Sequence, residues 1–266
     1  MTQPDLDPAP FAAICREAAD KLLAWRDDPA ARAEVPNRPG KIGADIALHE
    51  YLCARLYETD PGTPTISEED FQHADVRPAR YWLIDPIDGT ASWKGGFSGF
   101  VVQIALIIDH VPQIGILVAP ALRRDWVAMH GRGARRDGFL LPKREASSRL
   151  VVVDNYPEPR RAAAPLVAQL PGATYLESGS LGLKTALIAD GTADLFVKDV
   201  VVRDWDMAPA AVLLAETGCA LERVGGGVYR FEGPFEKTDG VIAARDARLA
   251  AAARAVLRPD LAPNAN

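Results

Sequence analysis

The segment Trp82–Thr90 reads WLIDPIDGT and places two carboxylates, Asp85 and Asp88, three residues apart at the end of an apolar run. Pro86 restricts the backbone and Gly89 lets it approach another group closely, so a loop of this composition can aim both acids at one point. Asp-Pro and Asp-Gly are also ordinary turn dipeptides, and chemistry is implied only if other acids join them. Two further groups are available: Glu68-Glu69-Asp70, which follows the short run Thr65–Ser67, and Asp206 in DWDMAPA. Taken singly, the first reads as a solvated loop and the second as a helix-start acid favoured by the helix dipole. If they converge, each carboxylate pair at about 4 Å repels by about 4 kcal/mol at an effective dielectric of 20, so the group requires a cation or protonation. An all-oxygen donor set favours magnesium or manganese over zinc. His49, His73, His110 and His130 show no ligand spacing, and no Ser or Cys stands in a nucleophile motif, which argues against covalent catalysis.

Helical spacing of Phe11, Ile14, Ala18, Leu22 and Trp25 predicts a helix over 11–26, and Ile46, Tyr51, Leu52 and Leu56 predict another over 44–56. EVPNRPGKIG between them reads as an irregular loop. Strands are expected at 65–67 and at 81–84, the latter running into a loop at 85–90. Beta-rich runs at 100–109, 113–119 and 126–129 suggest an antiparallel meander ending in the turn-rich GRGARRDG. From residue 150 the pattern alternates: strand 150–154, helix 159–169, strand 173–176, helix 180–189, strand 194–197, helix 206–217. The chain thus divides into an α+β half, residues 1–145, and an α/β half, residues 146–266, with the acids distributed over both. Gly225-Gly226-Gly227 lacks the strand–turn–helix setting of a nucleotide loop and reads as a hairpin turn.

The 266 residues, 48% of them hydrophobic, suffice for one large core or two packed together. A net charge of −6 and a pI near 5.3 argue against binding a nucleic acid polymer or an anionic membrane through a basic face. The N-terminus shows no secretory pattern, no apolar run is long enough to span a bilayer, and Cys15, Cys53 and Cys219 are widely separated. A soluble cytoplasmic protein is therefore expected.

Glu68-Glu69, Asp85-Pro-Ile-Asp-Gly-Thr90 and Trp205-Asp206-Met-Ala-Pro resemble, in order and approximate spacing, the three signature motifs of the inositol monophosphatase family. The resemblance extends from Asp45 to about Ala243. It implies a layered α-β-α-β-α sandwich and a magnesium-dependent phosphomonoesterase acting on a small phosphorylated metabolite. It also implies a homodimer. Carried over residue by residue, Glu68, Asp85 and the carbonyl of Ile87 would hold one Mg²⁺, and Asp85, Asp88 and Asp206 a second, with a weaker third ion in typical members and Mn²⁺ as an alternative. Asp88, Gly89 and Thr90 would receive the phosphate. The Thr90 hydroxyl, oriented by Asp45, would hold and help deprotonate the attacking water, with Glu68 on its other side.

The resemblance breaks in one place. Typical members read roughly Lys-x-Asp-x-Ser-Pro-Val-Thr-x-Ala-Asp before the second helix, whereas here VPNRPGKIGAD matches only Ala44-Asp45. That loop normally assists the third metal. For the substrate, Ser178-Gly179-Ser180 before a helix is similar to the family's substrate-lining loop, and also reads as a simple helix cap. Lys184 is similar to a lysine of the 3′(2′),5′-bisphosphate nucleotidases, and Asp199 lies where inositol-specific members place an acid toward a sugar hydroxyl. Arg203 reads equally as a partner for a second phosphate and as a solvated side chain. The expected function is metal-dependent hydrolysis of an inositol, sugar or nucleotide phosphate; the alternatives are bisphosphate nucleotidase specificity and a catalytically idle regulatory member.

Overall fold

The structure, a computed structural model, describes residues 6–70, 76–145 and 147–258; His73 lies outside them. Helix α1 (Ala9–Ala24) buries Phe11, Ile14, Cys15, Ala18 and Leu22, and α3 (Gly43–Thr59) buries Ala44, Leu48, Leu52 and Leu56, each as one helical stripe. Between them lies the short helix α2 (Pro29–Arg32), capped by Asp28, whose carboxylate accepts from Ala30 N at 2.8 Å.

The first sheet runs in chain order. Strand β1 (Thr65–Ser67) is parallel to β2 (Arg80–Asp88), which is followed by helix α4 (Thr90–Lys94). Strands β3 (Val101–Ile108), β4 (Val111–Ala119), β5 (Arg124–Met129), β6 (Gly133–Arg136) and β7 (Phe139–Leu140) continue it as an antiparallel meander. The second sheet has β8 (Leu150–Asp154), then helix α5 (Ala163–Gln169), β9 (Ala173–Glu177), helix α6 (Leu181–Ala189) and β10 (Leu195–Lys198). Strand β11 (Val202–Arg203) leads into helix α7 (Asp204–Thr217), and the chain ends with β12 (Ala220–Glu222), β13 (Glu236–Lys237), β14 (Val241–Ala244) and helix α8 (Ala247–Leu257). The sheet order is β12-β14-β10-β8-β9, with β8 parallel to β9 and β10 and β14 antiparallel to both its neighbours.

Helices α1 and α3 cover one face of the first sheet, and α6 and α7 fill the space between the sheets. Helices α5 and α8 cover the outer face of the second sheet. This is the α-β-α-β-α sandwich that the resemblance implies. Strands β2 and β3 read as nearly continuous apolar runs because helices bury them on both faces.

Three features differ from the sequence expectations. The loop expected at 85–90 is largely strand: β2 continues to Asp88, with its register against β3 broken between Asp85 and Asp88. Residues 34–43 form a closed structure, with Val35 N donating to Lys41 O at 2.9 Å, an antiparallel bridge between Glu34 and Ile42, and Gly43 N donating to Ala33 O at 2.9 Å. The elements after Thr217 add an antiparallel edge to a sheet whose sequence pattern suggested simple strand–helix alternation.

Candidate metal and phosphate site

The register break in β2 explains how acids three residues apart serve one site. In a regular strand such residues point to opposite faces, and one extra residue returns both to the same face. Asp85 pairs with Gln103 and Asp88 with Val101, so β2 carries that extra residue, at the position of Pro86-Ile87. Asp206 arrives from the first turn of α7, where its Oδ2 accepts from Arg203 N at 3.1 Å. Carboxylate oxygens of Asp85, Asp88 and Asp206 all lie within 4.8 Å of one another. Asp85 is 1% exposed and Asp88 6% exposed.

Without counter-charge such a group resists ionisation. Burial holds the Asp85 carboxyl well above the usual carboxylate range, with Glu68, Asp88 and Asp206 adding to the effect. Burial likewise raises Asp88, against the helix N–H groups that stabilise its charge. Asp206 is pushed up to about 8 by its enclosure and by the charges of Asp88 and Glu68. A buried set of hard oxygen donors, mutually repelling and short of cations, fits a divalent ion such as Mg²⁺.

Glu68, the fourth expected ligand, stands beside this trio and acts on Asp85 and Asp206 through its charge, while its Oε1 engages Lys41 Nζ at 2.9 Å. The Ile87 carbonyl accepts at 3.1 Å from Thr90 Oγ1, which also lies 3.3 Å from Asp45 Oδ1. The single Thr90 hydroxyl hydrogen can therefore be donated to one of these two acceptors at a time. Asp45 Oδ2 accepts from Ile42 N at 2.9 Å, which locks the carboxylate at the start of α3. Burial, assisted by Glu69, pushes its carboxyl up to about 6 against the opposing Ile42 N–H.

Gly89 has φ 95°, and a Cβ there would lie 3.0 Å from Ser180 Cβ and 3.1 Å from Gly99 O, so glycine is required on both counts. Asp88 also caps α6, its Oδ2 accepting from Gly182 N at 2.6 Å and its Oδ1 from Leu181 N at 3.3 Å. The two halves of the chain thus meet at the acids.

A cleft of about 760 Å³ opens from Asp88, Gly89 and Thr90 along the expected substrate residues Gly179, Ser180, Lys184 and Asp199, and is further walled by Phe97, Tyr156, Arg161 and Lys198. Gly179 packs directly on Gly99, where a Cβ would fall 1.8 Å from a carbonyl oxygen. Lys184 is not a free cation: its side chain is 3% exposed and its Nζ lies 3.4 Å from Asp154 Oδ1 and 3.3 Å from Asn155 Oδ1. Burial draws it below the usual lysine range. Asp199 is exposed at the cleft rim. Arg203 donates to Glu236 Oε1 at 2.9 Å.

Three groups escaped the sequence reading. Gln103, opposite Asp85 across the ladder, directs Nε2 to Asp85 Oδ2 at 3.4 Å, Asp88 Oδ2 at 3.3 Å and the Trp205 carbonyl at 3.1 Å. Pro209, four residues on, has no N–H to give that carbonyl, which accepts from Gln103 instead. Lys41 spans Glu68 and Glu69. Asp204, fully buried, is bound by Arg77, by Tyr229 Oη at 2.8 Å and by Lys237 Nζ at 3.5 Å, pinning the start of α7 two residues before Asp206.

The raised acids make metal and pH interdependent. A carboxyl whose folded pKa lies above its unfolded value contributes stability that is fully present below the unfolded pKa and is lost as pH rises through the folded one. For Asp206 that window runs from about 4 to about 8. The EDTA-treated protein is therefore expected to lose stability across this range. The rise in melting temperature on adding Mg²⁺ should be larger at pH 8.5 than at pH 5.5, by roughly 5 °C. Melting curves at both pH values check this, and an equal rise would place the ions elsewhere.

A family model described as the inositol monophosphatase family matches residues 42–258. The 3′(2′),5′-bisphosphate nucleotidase CysQ of Aggregatibacter actinomycetemcomitans is 32% identical over 217 residues, spanning 77% of this chain and 80% of that protein. CysQ of Escherichia coli K12 is 31% identical over 217 residues, spanning 77% and 85%. Among solved structures, CysQ from Bacteroides thetaiotaomicron aligns with a TM-score of 0.74 at 22% identity, covering 91% of this chain and 98% of that one. The Thermotoga maritima IMPase aligns with a TM-score of 0.79 at 20% identity, covering 96% and 98%. At these identities the two structures establish the fold.

Proposed function

Because this chain belongs to the inositol monophosphatase family and is a metal-dependent phosphatase, we propose that it hydrolyses a 3′(2′),5′-bisphosphate nucleotide, using water activated at a pair of magnesium ions. The reading of the reaction is carried by one observation: Asp85 and Asp88 from β2 and Asp206 from α7 present oxygens within 4.8 Å of one another, beside a cleft that Asp88 lines. Glu68, Asp85 and the Ile87 carbonyl would hold one ion, and Asp85, Asp88 and Asp206 the other. Ions held there would acidify water and neutralise the leaving oxygen in an in-line displacement.

The chain's own residues then have distinct tasks. Gln103 keeps Asp85 and Asp88 in register, and its bond to the Trp205 carbonyl ties both to the helix carrying Asp206. Thr90 orients the attacking water through its hydroxyl and relays a proton to Asp45, whose carboxyl near 6 is matched to operation around neutral pH. Gly89 lets the chain close on the phosphate.

The nucleotide reading draws on the relatives named CysQ and on the composition of the cleft. Its lining includes Arg161 and Lys198, whose charges suit a second phosphate, and the aromatic residues Tyr156 and Phe97, which suit a base. The complete set of acids weighs against an idle regulatory member.

The test is phosphate release from 3′,5′- and 2′,5′-bisphosphorylated adenosine, inositol 1-phosphate, fructose 1,6-bisphosphate and histidinol phosphate, each with Mg²⁺ and with EDTA. Release is expected only with the metal, with kcat/KM for a bisphosphorylated nucleotide at least about tenfold above the rest, equivalent to roughly 1.4 kcal/mol of transition-state preference. Preference for inositol 1-phosphate would overturn the substrate assignment and leave the reaction class standing. Absence of release on every substrate would overturn both.

A further inference from the structure

Glu69 is the most enclosed acid in its turn. Its side chain is 1% exposed, its Oε1 accepts from Lys41 Nζ at 2.7 Å, and its Oε2 is buried with no hydrogen-bond partner among the described residues. The same Nζ stands 2.9 Å from Glu68 Oε1. One ammonium therefore spans two adjacent carboxylates, a position that would otherwise call for a bound cation.

Lys41 is delivered there by the folded backbone rather than by a free side chain. Its carbonyl accepts from Val35 N at 2.9 Å, its N–H donates to Arg38 O at 3.1 Å, and Ile42 pairs with Glu34. Arg38 fastens the loop to the acidic turn by donating to the Glu69 carbonyl at 3.0 Å. On the other side Gly43 lies so close to α2 that a Cβ would fall 2.4 Å from Ala30 O. The loop whose sequence departs from the family pattern is thus built to place one amine between two glutamates.

We propose that Lys41 is a tethered cation that takes the place of a metal ion between Glu68 and Glu69, so that this chain holds two divalent ions and supplies the third cation itself. The inference rests on the two-ion reading given above. An ammonium offers three donors and imposes no coordination geometry, so it can neutralise Glu69 and steady Glu68 for its metal without depending on the ion concentration. Lys41 is in this sense a positioning residue.

Counting bound Mn²⁺ by electron paramagnetic resonance on the full-length protein, titrated into the millimolar range, tests this directly. The wild type is expected to saturate at two ions per chain, Lys41→Met at three, and Lys41→Arg at two. A wild-type protein that takes up three ions overturns the proposal whatever the variants do, and so does Lys41→Met saturating at two. Asp88→Asn serves as the separate control: if it binds as many ions as the wild type, the two-ion reading fails, independently of the outcome at Lys41.

Discussion

Asp88→Asn is expected to lower kcat by about 10³-fold or more while leaving the protein folded. The substitution keeps the size and shape of the side chain and removes one negative charge from a cluster whose members already repel. The remaining amide oxygen can still accept from Gly182 N or Leu181 N, so the cap on α6 survives. Gln103 Nε2 keeps its bonds to Asp85 Oδ2 and the Trp205 carbonyl, so the link to α7 also survives. The metal-free variant should therefore melt no lower than the wild type, and relief of carboxylate repulsion can raise its melting temperature. What is lost is an anionic ligand between the ions and the phosphate. Steady-state kinetics with saturating Mg²⁺, set beside melting curves, separate the two effects. A folded variant with near-normal kcat would remove Asp88 from the metal site.

Arg77→Ala is expected to destabilise the fold by about 3–5 kcal/mol, a fall in melting temperature of roughly 10 °C, because it leaves the Asp204 carboxylate buried without its main partner. Asp204 is fully buried and the Arg77 side chain is 6% exposed. The guanidinium also stacks on Phe235 at 3.8 Å, donates to Gly233 O at 2.7 Å and donates to Tyr81 Oη at 2.9 Å. It therefore fastens the 233–235 segment and β2 to the first turn of α7. Lys237 Nζ, 3.5 Å from Asp204, already donates to the Glu232 and Pro234 carbonyls and does not replace those bonds. The double variant Arg77→Met/Asp204→Asn should recover much of the stability, since it removes the charge along with its partner. Denaturant unfolding of both variants measures this. A loss under about 1 kcal/mol for Arg77→Ala would show that the pair is not what holds the helix start.

Much of the site was readable because its chemistry is carried by residue type. Acids in WLIDPIDGT and DWDMAPA and a glycine after Asp88 mark oxygen donors and a close backbone approach in one dimension. The helices over α1 and α3 were readable because each buries one stripe, which leaves a period in the sequence. The apolar runs of β2 and β3 were readable as strands for the opposite reason: both faces are covered, so the period vanishes into continuous hydrophobicity.

What escaped depends on partners distant along the chain. Gln103 is one residue in an apolar strand until the ladder sets it opposite Asp85 and α7 brings the Trp205 carbonyl to it. Lys184 is a lysine beside a cleft in the sequence, and only the approach of Asp154 and Asn155 shows that its charge is already engaged. Lys41 looks like an ordinary solvated cation in a proline- and glycine-rich loop, and only the closure of that loop against Glu69 gives it two anionic neighbours.

The sequence by itself determined which atoms can bind a cation and where the chain must bend, because side-chain chemistry and backbone preference are local properties. Only the tertiary structure decided that an extra residue in β2 turns Asp85 and Asp88 to one face, that α7 brings Asp206 to them, and which cations reach which acids. Those outcomes follow from register and packing between segments separated along the chain, where the free energy belongs to the contact and to neither segment alone.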